Sequence, residues 1–85
     1  MTELIVQLVA GDADANEALM RLIKQTLTAC GLAPGSSASI DGGVSLSATC
    51  ASVFDDASRV ALESMTKCII GIDRRDDLYF HWICS

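Results

Sequence analysis

A correspondence between its two halves constrains this 85-residue chain more than any other feature. When the first half is shifted by forty positions, its apolar runs and glycine stops fall on those of the second half. The aligned pairs are Leu4/Val44, Val6/Leu46, Leu8/Ala48, Gly31/Gly71, Ala38/Leu78 and Ile40/Phe80. Since few identities accompany the match, it indicates a repeated order of elements and not a repeated sequence. Each half is therefore predicted to be a strand, a helix and a strand.

The first half begins with a predicted central strand and a helix. Residues 3–9 are apolar on both faces, which is typical of a strand with neighbours on either side. Helical spacing of apolar positions follows over residues 15–30, and Asp14 with Glu17 has the form of a capping box at its start. Gly31 is suited to end that helix, because glycine reaches the left-handed backbone conformation that a C-terminal cap requires.

Two strands and a tight turn are predicted next. Residues 35–41 are polar and weakly alternating, which favours an edge strand, and the Gly42-Gly43 pair is typical of a hairpin. Residues 44–50 alternate apolar and hydroxyl side chains, so one face of this strand should be buried and the other should be more exposed to water.

A second helix is predicted over residues 52–70, ended by Gly71, and a final strand over residues 78–84. The segment from Cys68 to Ile72 could by its composition be a short strand, but the correspondence between the halves favours a helix end. The face of this helix predicted to point inward comprises Ala57, Val60, Ala61, Ser64, Met65 and Cys68.

Together these elements predict one α+β domain over residues 1–85. The order strand–helix–strand–strand–helix–strand is that of a two-layer, ferredoxin-like βαββαβ sandwich. Right-handed crossovers then give an antiparallel sheet of four strands in the order 4-1-3-2, with both helices on one face.

Charge and composition limit the kinds of partner that the protein is expected to bind and the cellular compartment in which it is expected. Six basic against eleven acidic side chains give a net charge of −5, which disfavours binding to nucleic acid and to anionic membranes. The start of the chain lacks the basic residues of a secretion signal, and no apolar run is long enough to cross a bilayer. A cytoplasmic location is therefore expected.

The four cysteines are expected to be free and mostly packed in the core. No two of them are spaced as a CxxC pair, which argues against a zinc ribbon or a redox motif; they are Cys30, Cys50, Cys68 and Cys84. The predicted topology brings Cys30, Cys50 and Cys84 to one end of the domain, where a three-thiolate metal site is a weak alternative. We expect no metal and no other cofactor.

Catalysis is not expected. The single histidine, His81, lies three positions from Cys84, so the two side chains point to opposite faces of a strand. The serines do not form the GxSxG turn of a nucleophilic hydrolase.

The last strand is the strongest candidate for an interaction surface. It holds three of the four aromatic residues, carries no formal charge at neutral pH, and lies at the edge of the predicted sheet. With the open face of the sheet it should be covered by a second copy of the chain or by another protein. The predicted interface residues are Ile5, Gln7, Val9, Tyr79, Phe80, His81, Trp82 and Ile83.

Two other functions stay open alongside a homodimerising interaction module. One is a small acidic inhibitor of the phage-encoded type, for example of a host defence complex, which would occupy a basic nucleic-acid-binding site on its target. Its partner-facing carboxylates would be Asp55, Asp56, Asp73, Asp76 and Asp77. The other is a regulatory domain that holds a small metabolite at the open sheet face or at a dimer seam.

Overall fold

The computed structural model describes residues 1–71 and 74–84, and shows the predicted βαββαβ order of elements. The strands and helices are β1 (Thr2–Leu8), α1 (Ala13–Ala29), β2 (Ala33–Ile40), β3 (Gly43–Cys50), α2 (Asp56–Ile70) and β4 (Leu78–Cys84). A single 3₁₀ turn, η1 (Arg75–Asp77), leads into β4. In the described ranges, no helix is both long enough and apolar enough to cross a membrane.

The four strands form one antiparallel sheet in the order β2-β3-β1-β4, which confirms the predicted topology. β1 is central: Val6 lies opposite Leu46 on one side and Phe80 on the other. Each strand pairing joins one strand from the first half of the chain to one from the second half. The sheet is therefore shared between the halves.

The core lies between the two helices and one face of the sheet. Exposure alternates strictly along β1, so that Leu4, Val6 and Leu8 are fully buried while the residues between them are not. Ile23 of α1 and Leu62 of α2 pack in the same apolar cluster as these three leucine and valine side chains. Both helices thus cover the same face of the sheet, as predicted.

α1 begins two residues earlier than predicted, and its cap is a different aspartate. The Asp12 carboxylate accepts a 2.7 Å hydrogen bond from the backbone N–H of Ala15, so the expected capping box of Asp14 and Glu17 is wrong. Asp14 lies inside the first turn, where its charge favours the helix dipole.

The end of α1 follows the prediction. Gly31 has a φ of +91°, its N–H donates to the Thr28 carbonyl, and the Leu32 N–H donates to the Leu27 carbonyl. This pair of bonds is a Schellman motif, and Leu32 is buried against the core.

α2 begins four residues later than predicted, because Thr2 holds the preceding segment in a non-helical conformation. The buried Thr2 hydroxyl donates to the Ser52 carbonyl at 2.8 Å and accepts from the Phe54 N–H at 3.2 Å. Asp55 then caps the helix by accepting from the Ser58 N–H. Since α2 extends to Ile70, residues 68–70 are the end of a helix and not a strand.

The inward face of α2 was predicted wrongly. The buried residues of this helix are Leu62, Thr66 and Ile70, with Arg59, Glu63 and Lys67 partly buried beside them. All six residues predicted to point inward, Ala57, Val60, Ala61, Ser64, Met65 and Cys68, are exposed. Burying the larger Leu62 and Ile70 removes more apolar surface from water than burying small side chains does. The long stems of Arg59 and Lys67 also cover aromatic rings of β4.

The β2–β3 hairpin brings the backbone close to β1. Gly42 has a φ of +80° and lies in open space, whereas a Cβ on Gly43 would lie 2.0 Å from the Leu8 carbonyl oxygen. Only glycine permits this approach at position 43. β2 begins at Ala33, earlier than predicted, and its register shifts between Pro34 and Ser37, as is tolerated on an edge strand.

Arg74 fastens the β1–α1 connection to the turn before β4. Its guanidinium donates to the Ala10 carbonyl, to Asn16 Oδ1 at 2.7 Å and to Asp77 Oδ2 at 2.9 Å. Asn16 is a buried residue of α1, so its side-chain oxygen depends on this partner. The guanidinium lies against Gly11, where a Cβ would come within 2.5 Å of it.

Candidate functional site

The face of the sheet opposite the helices carries most of the predicted interface. We define the open sheet face as the alternate residues that point away from the helices: Glu3, Ile5 and Gln7 of β1, Ser45, Ser47 and Thr49 of β3, and Tyr79, His81 and Ile83 of β4. None of the nine is buried. Glu3 is the one carboxylate of this set, and Ser47 donates a 2.9 Å hydrogen bond to it. The surface is thus mainly apolar and neutral polar.

Apolar exposure on this face is concentrated along β4. Tyr79 is 56% exposed and Ile83 is 40% exposed, while Ile5 opposite His81 is partly covered. Val9, just past the end of β1, is also exposed. Six of the eight predicted interface residues, Ile5, Gln7, Val9, Tyr79, His81 and Ile83, are therefore accessible without passing the helices.

A shallow depression of about 460 Å³ lies within the open sheet face. It is lined by Ile5, Gln7, Tyr79, Phe80 and His81. Amide, phenol and imidazole groups supply hydrogen-bonding atoms there, next to an apolar side chain. The depression coincides with the place predicted for a small metabolite.

Phe80 and Trp82 are placed differently from the other predicted interface residues. Their side chains lie on the helix side of the sheet, packed against the core, and are partly buried. The Trp82 indole N–H donates to Glu63 at 2.8 Å, and its ring lies 5.7 Å from that of Phe54 and 5.8 Å from the Arg59 guanidinium carbon. Lys67 Nζ lies 5.9 Å from the Phe80 ring. Charged side chains of α2, namely Arg59, Glu63 and Lys67, therefore cover the rings of Phe80 and Trp82.

The predicted acidic surface is divided between two places. Asp55 and Asp56 lie at the N-terminal end of α2, and Asp76 and Asp77 lie in η1, which packs near its other end. A helix of 15 residues is about 22 Å long, so the two pairs are far apart. Asp73 lies outside the described residues.

Internal bonds also engage three of these carboxylates. Asp77 is paired with Arg74 at 2.9 Å, and Asp56 lies 3.8 Å from Arg59. A hydrogen bond from the Ser58 backbone N–H, helped by the Ser58 hydroxyl and the Arg59 charge, holds the pKa of Asp55 below its ordinary value of 3.8. The structure thus uses Asp55 as a helix cap and Asp77 as a partner of Arg74.

The three cysteine side chains that the structure describes are free and differ in burial. Cys30 and Cys50 are partly buried against the core, whereas Cys68, which was predicted on the inward face of α2, is exposed. Within the described residues, no group of three or more His, Cys, Asp and Glu side chains is arranged to hold a metal ion. The three-thiolate metal site considered above would also need Cys84, whose side chain is not among those that the structure describes.

Comparison with known protein families, curated proteins and solved structures finds no match in any of the three. The order of the elements and the order of the strands in the sheet are by themselves consistent with a ferredoxin-like arrangement.

One exposed apolar surface was missed by the sequence reasoning. The outer face of α2, which we define as Ala57, Val60, Ala61, Ser64, Met65 and Cys68, was recognised as an apolar stripe but assigned to the core. The sequence carried one signal against that assignment, since the stripe omits Leu62, Ile69 and Ile70, the leucine and the two isoleucines of the helix.

Proposed function

We propose that this protein is a non-catalytic interaction module that forms a homodimer through the open sheet face. The observation that carries the proposal is the uncovered sheet, on which Tyr79 and Ile83 expose apolar area beside neutral hydrogen-bonding groups. A surface of this composition is typical of the buried part of a protein interface, where charged residues are depleted.

The distribution of charge favours a second copy of the chain as the occupant. Two chains of net charge −5 repel each other, so a self-complementary contact needs a surface with few acids. The open sheet face meets this need, because its carboxylate, Glu3, is already hydrogen-bonded to Ser47. A twofold axis through the face would bring the same apolar and hydroxyl groups together from both sides.

The acidic-inhibitor alternative receives less support from the structure. The four of its proposed carboxylates that the structure describes lie at opposite ends of α2, and Asp77 faces Arg74 and not an external partner. A mimic of a nucleic-acid backbone needs regularly spaced, free negative charges.

The proposal is tested by measuring the mass of the protein in solution by sedimentation equilibrium. Ile83→Arg places a charge on the open sheet face at a site that is already exposed, and should weaken this dimer at least tenfold. Ala18→Arg is the control, because Ala18 is exposed on α1, away from the sheet. Equal association of the Ile83→Arg variant and the control would reject the open sheet face as the interface.

A further inference from the structure

The outer face of α2 is an apolar surface that the folded chain leaves in water. All six of its residues are exposed, Val60 by 63% and Met65 by 42%, and none of them is charged. Of the four charged residues of the helix, Arg59, Glu63 and Lys67 lie beside the aromatic rings of β4, and Asp56 lies in the first turn. A surface helix ordinarily has the reverse arrangement, with its polar side in water.

The apolar surface continues from α2 toward the end of α1. A groove of about 330 Å³ there is lined by Cys30, Phe54, Ser58, Ala61, Leu62 and Met65. Val53, which precedes Phe54, is 66% exposed. The groove shares Ala61 and Met65 with the outer face of α2, so the two form one continuous, mainly apolar patch, whereas a monomeric surface ordinarily exposes its apolar residues singly.

Charges of opposite sign lie at the two ends of the outer face. Asp55 and Asp56 are at the N-terminal end, and the Asp56 side chain is 99% exposed. At the other end, Lys67, Arg75 and Asp76 line a pocket with Ser64 and Cys68. The neighbouring Asp77 is paired with Arg74, so the described basic side chains at this end exceed the acidic ones by one. This polarity is self-complementary when two copies of the helix run in opposite directions, because each acidic end then meets a basic end.

We propose that the outer face of α2 binds the same face of a second copy, with the two helices antiparallel. The twofold axis passes near residues 62–63, so that Ala61 lies opposite Ser64 of the second copy and Ala57 lies opposite its Cys68. Side chains as small as those of Ala61 and Ser64 let two helices approach to about 8 Å. Val60 and Met65 then pack on either side of the line of contact.

This contact goes beyond the dimer proposed above, because it lies on the opposite side of the two-layer domain. A protomer with one self-binding face on the sheet side and another on the helix side forms species larger than a dimer. A contact through a single helix covers less area than a standard protein interface, so we expect it to be the weaker of the two.

The first test is sedimentation of the intact chain and four variants over a range of concentrations. The chain should form species heavier than a dimer as concentration rises, and the Ala18→Arg control should behave in the same way. Ala61→Arg and Ile83→Arg should each stop at a dimer, and the double variant should be a monomer. Since Ala61 and Ala18 are both exposed helical alanines, circular dichroism should show both arginine variants folded.

The two proposals fail in different ways in this experiment. A mass distribution for Ala61→Arg equal to that of Ala18→Arg would overturn the contact through α2, whatever Ile83→Arg does. An Ile83→Arg variant that still matches the control while Ala61→Arg loses mass would reject the open sheet face and leave the α2 contact in place.

A second test reads the antiparallel direction by disulfide formation. Ala57→Cys should cross-link to the native Cys68 of a second copy under mild oxidation, giving a dimer on a non-reducing gel. Adding Cys68→Ser should abolish this product, and Ala18→Cys should form it at least tenfold more slowly. Cross-linking of the unaltered chain through Cys68 alone, at the same rate as Ala57→Cys, would indicate a different direction and contradict the proposal.

Discussion

The indole N–H of Trp82 donates a 2.8 Å hydrogen bond to the carboxylate of Glu63, linking the edge strand β4 to the middle of α2. Arg59 lies one helical turn before Glu63 and stands 5.8 Å from the same indole ring. Both contacts require the side of α2 that carries Arg59 and Glu63 to face Trp82. They are therefore consistent with the observed rotation of the helix about its axis. The same rotation places Val60 and Met65 in water.

The Trp82–Glu63 hydrogen bond should stabilise the fold by about 1–2 kcal/mol, because its acceptor is charged and its environment is partly buried. A double-mutant cycle of Glu63→Ala and Trp82→Phe, measured by urea denaturation at low micromolar concentration, gives this coupling energy directly. Glu17→Ala, at an exposed site of α1, is the control and should show no coupling with Trp82→Phe. Additive effects of the two changes would mean that the hydrogen bond contributes nothing to stability.

Arg74→Ala should lower the free energy of unfolding by about 2–3 kcal/mol, because it removes bonds to Asp77 and to the buried side chain of Asn16. Arg75→Ala is a matched control one residue away, since Arg75 is exposed, and it should change stability by less than about 0.5 kcal/mol. Chemical denaturation of the two variants in parallel measures the difference. Equal stabilities would contradict the role of Arg74 in joining the β1–α1 connection to η1.

Gly43→Ala should be more destabilising than Gly42→Ala by about 1–3 kcal/mol, because the added methyl group meets the Leu8 carbonyl oxygen. At Gly42 the cost is that of a positive φ alone, since nothing lies within 4 Å of the added group. Thermal unfolding of the two variants provides the comparison. If Gly42→Ala were the less stable, the close approach of the hairpin to β1 would be wrong.

The stability contributed by the Asp55 cap should disappear in acid. The pKa of Asp55 is lowered in the folded protein, so its contribution is fully present above about pH 4 and is lost as the pH falls through the lower folded value. Asp55→Ala should therefore be less stable than the unaltered chain at pH 7, and the difference should shrink as the pH falls below the ordinary pKa of 3.8. Thermal midpoints across this pH range measure it; a difference that is constant with pH would show that the carboxylate charge is not what caps α2.

Strand order was predictable from the sequence because it follows from the number and kind of elements, and those are marked by strong local signals. Gly31 and Gly71 end the two helices as expected, with φ values of +91° and +92°. The first cap was assigned to the wrong residue because Asp12 and Asp14 are chemically alike and two positions apart. Spacing alone does not decide which of them adopts the extended backbone of an N-cap.

The orientation of α2 depended on tertiary contacts that its own sequence does not show. The stripe of Val60, Met65 and small residues looks like a buried side when the helix is considered alone. It is exposed because Leu62 and Ile70 fill the core and because Phe80 and Trp82 are covered by charged side chains. Phe80 and Trp82 face the helix layer for a different reason. They pair with the buried Val6 and Leu4 of β1, and residues paired across neighbouring strands point to the same face of the sheet.

The interleaved strand pairing has a consequence for how the molecule can be assembled. β1 pairs with β3 and β4, and β2 pairs with β3, but β1 and β2 do not pair with each other. A peptide that ends at Gly42 therefore contains two strands and none of the strands with which they pair. A nascent chain should therefore form no strand pair of this sheet until β3 has emerged from the ribosome. Two separate peptides, divided at this exposed hairpin tip, should recover the native circular dichroism spectrum only when they are mixed.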